Sequence, residues 1–229
     1  MHIPDGLMAP LVLAAGWMIA IAALAFVTRA LNRRADDRHV PLMALLAAGI
    51  FVAQMLNFPV GGGTTGHLVG AALAAILLGP AGGMAVMMVI LVIQALMFGD
   101  GGITALGLNF LNMGVVGCLA GYYLYRAFPA RHQKIGIFVA SWMAVFLGAA
   151  ACALELSVSN IISGGTFGIA WALAFPTMTI FYAVIGIGEA IITAGILAYL
   201  GHVAPQMLKM PKTASSSGAK DDDEVVLDA

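Results

Sequence analysis

The sequence predicts an all-α membrane protein: a bundle of seven transmembrane helices, N-terminus outside and C-terminus cytoplasmic. Three observations lead there. Of the 229 residues, 62% are hydrophobic and only 9% charged, where soluble domains carry about 25% charged residues. Apolar runs follow one another from Leu7 to Leu200 with brief interruptions, and about 20 such residues suffice for a helix to cross the hydrocarbon core. The ten basic residues also partition cleanly between alternate connections. One membrane domain over residues 1–205 therefore leaves only a tail, 206–229. That tail is Ser/Gly-rich and then acidic, a composition that predicts disorder on the cytoplasmic side.

The elements read as apolar segments at about 8–28, 41–57, 67–79, 82–98, 103–125, 135–157 and 176–200. Turn chemistry separates them: Arg33 to Asp37, Pro59 to Gly66, Gly79-Pro80, Gly99 to Gly102, Pro129 to Lys134 and Ser163 to Gly165. The third segment is short for a span, and residues 67–98 could be merged into one kinked helix. Charge decides against merging. With seven spans, Arg29, Arg33, Arg34, Arg38, Arg126, Arg131, Lys134, Lys209, Lys212 and Lys220 all lie inside, as the positive-inside rule prefers. The short third helix then implies that the loop Asn57–Gly66 dips into the protein, where irregular backbone survives only if buried or lining a cavity. Met1 to Pro10 carries no Lys or Arg and reads as a mature N-terminus, unlike a cleaved signal. The net charge of −1 supplies no basic surface for nucleic acid. Cys118 and Cys152 lie in apolar runs and read as small core residues. Small residues four apart (Gly16/Ala20, Gly70/Ala74, Gly117/Gly121, Gly186/Ala190) mark close helix contacts, within this chain or with a partner subunit.

Candidate chemistry is sparse. His39, His132 and His202 fall beside basic residues in cytoplasmic connections, whereas His2 and His67 fall on the outer side. A free amine on Met1, the amide nitrogen of His2 and the His2 imidazole can form adjoining chelate rings around one ion. His67 would complete a plane of four nitrogens, which suits Ni(II) or Cu(II). The competing reading makes His2 a polar chain end and His67 a helix-start residue. Asp5, Asn57, Thr64 and Thr65 are candidates to orient the imidazoles from behind, since metal-bound imidazoles donate their other N–H to a neighbouring acceptor. The run Gly61 to His67 has His67 where a phosphate-binding loop needs Lys, so a nucleotide site is rejected. Glu155 and Glu189 lie within spans and are either functional or carboxyls bridging helices. No HExxH pair, clustered Cys ligands or nucleophile elbow is present, so the chain reads as a non-enzyme.

Met1-His2-Ile3-Pro4-Asp5-Gly6, Gly63-Thr64-Thr65-Gly66-His67 and Gly186-Ile187-Gly188-Glu189-Ala190 together resemble the CbiM/NikM family, over the chain to about Leu200. These are substrate-binding membrane components of energy-coupling-factor nickel/cobalt transporters. The resemblance implies metal held by Met1, His2 and His67, with Ni2+ or Co2+ as cargo and no cofactor. It implies partners as well: a coupling transmembrane subunit, two cytoplasmic ATPases and usually a small accessory membrane protein, all at the cell membrane. Pro4-Asp5, in place of the Met-Glu common in cobalt-assigned members, leans toward nickel. An ion-coupled secondary transporter is the alternative, and would need broken helices and midplane acids.

Overall fold

The computed structural model describes residues 1–34, 39–60 and 64–205. The expected tail, 206–229, and Gly61 to Gly63 of the predicted loop lie outside the described residues. Helix α1 (Pro10–Arg34) is followed by α2 (His39–Gln54), a two-stranded hairpin β1 (Phe58–Val60) and β2 (Thr64–Gly66), and helix α3 (Ala71–Ile93), which ends in a π-helical turn, Gln94–Phe98. Short α4 (Leu106–Asn109) runs through a π-helical stretch, Phe110–Val116, into α5 (Gly117–Ala127). Helices α6 (Gln133–Ile162) and α7 (Trp171–Val203) complete the bundle. Each apolar segment of the sequence corresponds to helix. Pro176, expected to start the last one, lies inside α7, which begins at Trp171. Pro176 is the sixth residue of α7, beyond the first turn, so the helix continues through it with one intrahelical hydrogen bond fewer.

Helix α3 is the centre of the molecule and is buried along nearly its whole length. It is not one straight rod. Gly79 has φ 76° and ψ 170°, which only glycine adopts readily, and Pro80 follows it. A Cβ on Gly83 would lie 2.9 Å from the backbone nitrogen of Ala75. Residues eight apart in a straight helix are about 12 Å apart, so the two arms fold back on each other at Gly79. The sequence-level break between the third and fourth segments is therefore a real chain reversal.

The all-α expectation needs one correction. The segment after α2 forms an antiparallel hairpin with Phe58 opposite Gly66, Pro59 opposite Thr65 and Val60 opposite Thr64. Val60, Thr64 and Gly66 are buried, so the predicted dip of this loop into the protein is present, in strand form. Backbone this deep must pair internally, and the hairpin does so.

Glycine sets how closely the helices approach. A Cβ on Gly121 would meet the α-carbon of Ala72 at 2.8 Å, one on Gly107 would meet the Trp17 backbone at 2.8 Å, and one on Gly186 would meet the Trp142 ring at 2.9 Å. Ala20, Ala74 and Ala190 are fully buried. The small-residue pairs thus face neighbours within this chain. The outer faces are the reverse: Ile180, Val184, Ile187 and Ile191 form an exposed stripe along α7, and Leu11, Met18, Ile21 and Phe26 are exposed on α1. Among the described residues, Pro10–Arg33, Ala130–Ile162 and Trp171–Val203 are long and apolar enough to cross a membrane, and Ala71–Phe98 has that total length and composition although its chain turns back at Gly79. An apolar exterior of this extent fits acyl chains, not water.

Gly83 and Gly188 provide a matched stability test, since both are helical. Gly83→Ala pushes a methyl into the Ala75 backbone, whereas nothing lies within 4 Å of a Cβ on Gly188. Overpacking costs about 1–3 kcal/mol, so Gly83→Ala should lower the thermal midpoint in detergent. Gly188→Ala should leave it unchanged or slightly raised. Equal midpoints would contradict the folded-back arms.

Candidate metal centre

Residues 1–9 precede the first helix and run into the bundle. Five bonds hold them. Asn109 brackets Ile3, its Oδ1 accepting the Ile3 N–H at 2.8 Å and its Nδ2 donating to the Ile3 carbonyl at 3.1 Å. Gly102 N–H donates to the same carbonyl at 2.8 Å, Ala9 N–H to Ser159 Oγ at 2.8 Å, and Gly168 N–H to the Leu7 carbonyl at 2.7 Å. Asp5 adds an anchor at the surface, accepting the N–H groups of Ile103 at 3.0 Å and Thr104 at 2.8 Å and the Thr104 hydroxyl at 2.5 Å. As a result Met1, His2 and His67 are 0%, 2% and 1% exposed.

The three residues meet. The Met1 amine lies 3.1 Å from His67 Nε2, and it also donates to the Thr65 carbonyl and to the Tyr182 hydroxyl. Two nitrogens bound to one ion at about 2 Å in neighbouring positions stand roughly 3 Å apart, so the spacing fits a shared ion. The rings of His2 and His67 stack with centroids 4.5 Å apart. Hydrogen bonds assign both tautomers. His67 Nδ1–H donates to the Leu68 carbonyl at 2.7 Å, leaving the Nε2 lone pair facing the amine. His2 Nε2–H donates to Gln94 Oε1 at 3.1 Å. Gln94 can take that role in one orientation only, because its Nε2 donates to Gln54 Oε1 at 3.0 Å, and Gln54 Nε2 donates to the Val69 carbonyl at 2.6 Å. His2 Nδ1 is then the nitrogen that carries no hydrogen, on the side of the ring nearer its own backbone amide.

No described residue accepts the His2 amide N–H. Among the described residues no three His, Cys, Asp or Glu side chains cluster to hold a metal. An ion bound here would therefore draw on main-chain nitrogen. Burial favours neutral nitrogen as well. Desolvation lowers the Met1 amine to about 5, and it lowers His2 to about 3 with the amine's own charge adding to the effect. His67 is lowered well below its ordinary value by the same burial. A neutral nitrogen has a lone pair to offer a metal.

The four residues expected to orient the imidazoles fare differently. Thr65 touches the centre, through its carbonyl and through Oγ1, 3.5 Å from His2 Nδ1. Asn57 reaches it at one remove: its Nδ2 donates to Asp100 Oδ2 at 2.9 Å, and Asp100 Oδ1 stands 3.4 Å from His2 Nδ1. Thr64 turns away, its hydroxyl donating to Met178 Sδ at 3.1 Å. Asp5 contacts neither imidazole and anchors the segment instead. Gln94, Gln54, Asn109, Asp100 and Tyr182 surround the centre without having been anticipated. Neutral amides in otherwise apolar runs were the available signal. Gly101, at φ 90°, packs on His2, where a Cβ would lie 3.0 Å from Cδ2.

Fold and site together define a helical membrane protein built around a buried nitrogen cluster. The family described as the cobalt uptake substrate-specific transmembrane region (CbiM) matches residues 2–207. A Haloquadratum walsbyi protein, provisionally named a metal transport protein, is 42% identical over 208 residues, covering 91% of this chain and 93% of its own length. A fused nickel transport protein, NikMN, of Rhodobacter capsulatus is 37% identical over 221 residues, covering 91% of this chain, which spans 64% of that longer protein. A crystal structure of a transition metal transporter superposes with TM-score 0.85 at 34% identity, covering 89% of this chain and 93% of the other. The chain belongs to the CbiM/NikM family.

Asp5→Ala should loosen the inserted segment. Capping carboxylates contribute about 0.5–2 kcal/mol, and the exposure of Asp5 argues for the lower half of that range. The Met1 amine should then react severalfold faster with an amine-directed acylating reagent. An unchanged rate would remove Asp5 from the anchor. Its hydrogen bonds with Thr104, opposed in part by desolvation, hold Asp5 below the ordinary carboxylate value of 3.8. The anchoring is therefore present above that value and is lost as pH falls through the lower folded one.

Proposed function

We propose that this chain is the membrane component that captures a transition-metal cation for uptake, with the Met1 amine, the His2 amide nitrogen, His2 Nδ1 and His67 Nε2 as ligands. The observation that carries the reading is the meeting of a buried chain end with His67 Nε2, 3.1 Å away, beside the His2 ring that stacks on His67. Nickel is the favoured cargo, because a deprotonated amide within a four-nitrogen set suits a metal that tolerates square-planar geometry. Cobalt shares the same ligands. Binding and release of cargo need no bond making on carbon or phosphorus, consistent with a transporter rather than an enzyme.

Seven spans in the cell membrane, with the N-terminus outside, are part of the proposal. The reversal at Gly79 supports counting the arms of α3 separately, and the odd count keeps the basic residues on one side. Glu189 is engaged as a carboxyl that accepts the Val69 and Gly70 N–H groups just before α3, which gives the ion-coupled alternative no support. ATP hydrolysis would be supplied by partners, namely a coupling membrane subunit and two cytoplasmic ATPases, with a small accessory membrane subunit, since the chain has no phosphate-binding loop.

The test is nickel titration of the full chain in detergent. His2→Ala should abolish tight binding. His67→Ala should leave three nitrogens and an open position, weakening binding by at least the roughly 10–100-fold that losing the acceptor behind an imidazole costs. Wild-type affinity in both variants would sink the assignment. The pH dependence has a definite form. The amine is already neutral above about 5, with desolvation opposed by Cys152 and Asp100, so only the amide proton is displaced there. Affinity should fall about tenfold per pH unit down to that value and more steeply below it, as the amine also takes a proton. A slope of two protons between pH 6 and 8 would mean an amine with its ordinary pKa, and hence one that is not buried.

A further inference from the structure

Between His67 and the start of α3 lie Leu68, Val69 and Gly70, which are not helical, and Gly70 has φ 75°. This short segment must hold the His67 ring against the amine, and it does so without the internal hydrogen bonds of a helix, although Val69 is buried in the core and Gly70 packs on Ile50. It borders a cavity of about 200 Å³ lined mainly by apolar residues, among them Leu45, Ile50, Ile192 and Ile196, with Glu189 and Thr193 of α7 as its polar members. What does hold it is a carboxylate. Glu189 on α7, 3% exposed, accepts the Val69 N–H on Oε2 at 2.8 Å and the Gly70 N–H on Oε1 at 2.6 Å. Both oxygens are thus used, on two successive N–H groups at the N-terminus of α3, where the helix dipole favours negative charge. From the other side, Gln54 holds the Val69 carbonyl at 2.6 Å. The His67 ring is fixed to the same segment through its bond to the Leu68 carbonyl.

Resting on the chelate reading above, we infer that Glu189 is a positioning residue for the metal: by clamping Val69 and Gly70 it sets where His67 Nε2 stands relative to the Met1 amine. The geometry extends along one face of α7. Tyr182, two turns before Glu189, donates to the Thr65 carbonyl at 2.5 Å and contacts the amine. Met178 receives the Thr64 hydroxyl. A single helix therefore grips the loop at Thr64, Thr65, Val69 and Gly70, on both sides of His67. Displacement of α7 would move His67 away from the amine, and the plane of four nitrogens would lose its fourth member.

The test compares the full chain, Glu189→Ala, Glu189→Gln, His67→Ala and the double variant His67→Ala/Glu189→Ala in detergent. Readouts are nickel affinity and the visible absorption of the bound ion. Glu189→Ala should weaken binding about 10–100-fold, as loss of a group orienting a ligand does. Its spectrum should shift toward that of His67→Ala, where water replaces an imidazole. The double variant should bind no more weakly than His67→Ala alone, because both changes remove one ligand. Glu189→Gln keeps one acceptor oxygen and should fall between. If Glu189→Ala does not fold, Glu189→Gln is read by the same spectral criterion. A wild-type spectrum in the Glu189 variants, or losses that add in the double variant, would overturn the inference. Absence of tight nickel binding in the unmodified chain would instead overturn the chelate reading beneath it.

Discussion

Everything in this structure depends on burying a chain terminus. An amine inside a helical bundle either carries its charge at a high desolvation cost or gives up its proton. Here it does the latter and lies against an imidazole nitrogen, a carbonyl and a phenol. Asn109, Gly102, Ile103, Thr104, Ser159 and Gly168 all hold residues 1–9, and their joint effect is to deliver the first residue to one point. The bundle is arranged around that point. The doubled-back α3 supplies the tight floor, its Ala71 and Ala72 meeting Gly117 and Gly121 of α5 at close range. The hairpin places Thr65 and His67, and α7 covers them.

Fixing the tautomers is the second requirement. An imidazole offers a lone pair on one nitrogen only if the other carries the hydrogen, and each ring here is set by a different device. His67 uses the carbonyl of the next residue, a local solution that needs no other element. His2 uses Gln94, whose orientation is imposed by Gln54, whose donor is in turn spent on Val69. The relay runs from one imidazole to the segment that bears the other. The two rings are thus positioned in common, and four elements share in the arrangement.

Much of this was legible in the sequence. Periodic apolar runs and basic residues give the helices, and Gly79-Pro80 marks the reversal because glycine accepts a positive φ and proline cannot continue the first arm. His2 and His67 stand out because topology leaves them alone on one side. The hairpin was not legible: its strands are three residues each, too short for an alternation to read, and one of them contains Pro59. Nor were the supporting residues. Spacing predicts nearness and not direction, so Thr64 and Asp5 were near enough to be named but point elsewhere. Gln54, Gln94 and Asn109 are neutral, and a search of membrane segments for ionisable groups passes over them, although a buried amide needs partners as surely as a charge does. Glu155 illustrates the converse. It is ionisable and embedded, but its carboxyl accepts one bond, from Asn112 Nδ2 at 2.7 Å, and touches none of the nitrogens.

The central claim is that the first amine is itself a ligand, and one residue decides it. Nickel stoichiometry should be measured on the full chain beginning at Met1 and on a matched protein with a single glycine added before it. Addition converts the primary amine into an amide nitrogen, removes it from chelating position and leaves the helices intact. The account predicts about one nickel per chain in the first protein and essentially none in the second. Equal occupancy in the two would mean that the buried terminus does not bind the metal.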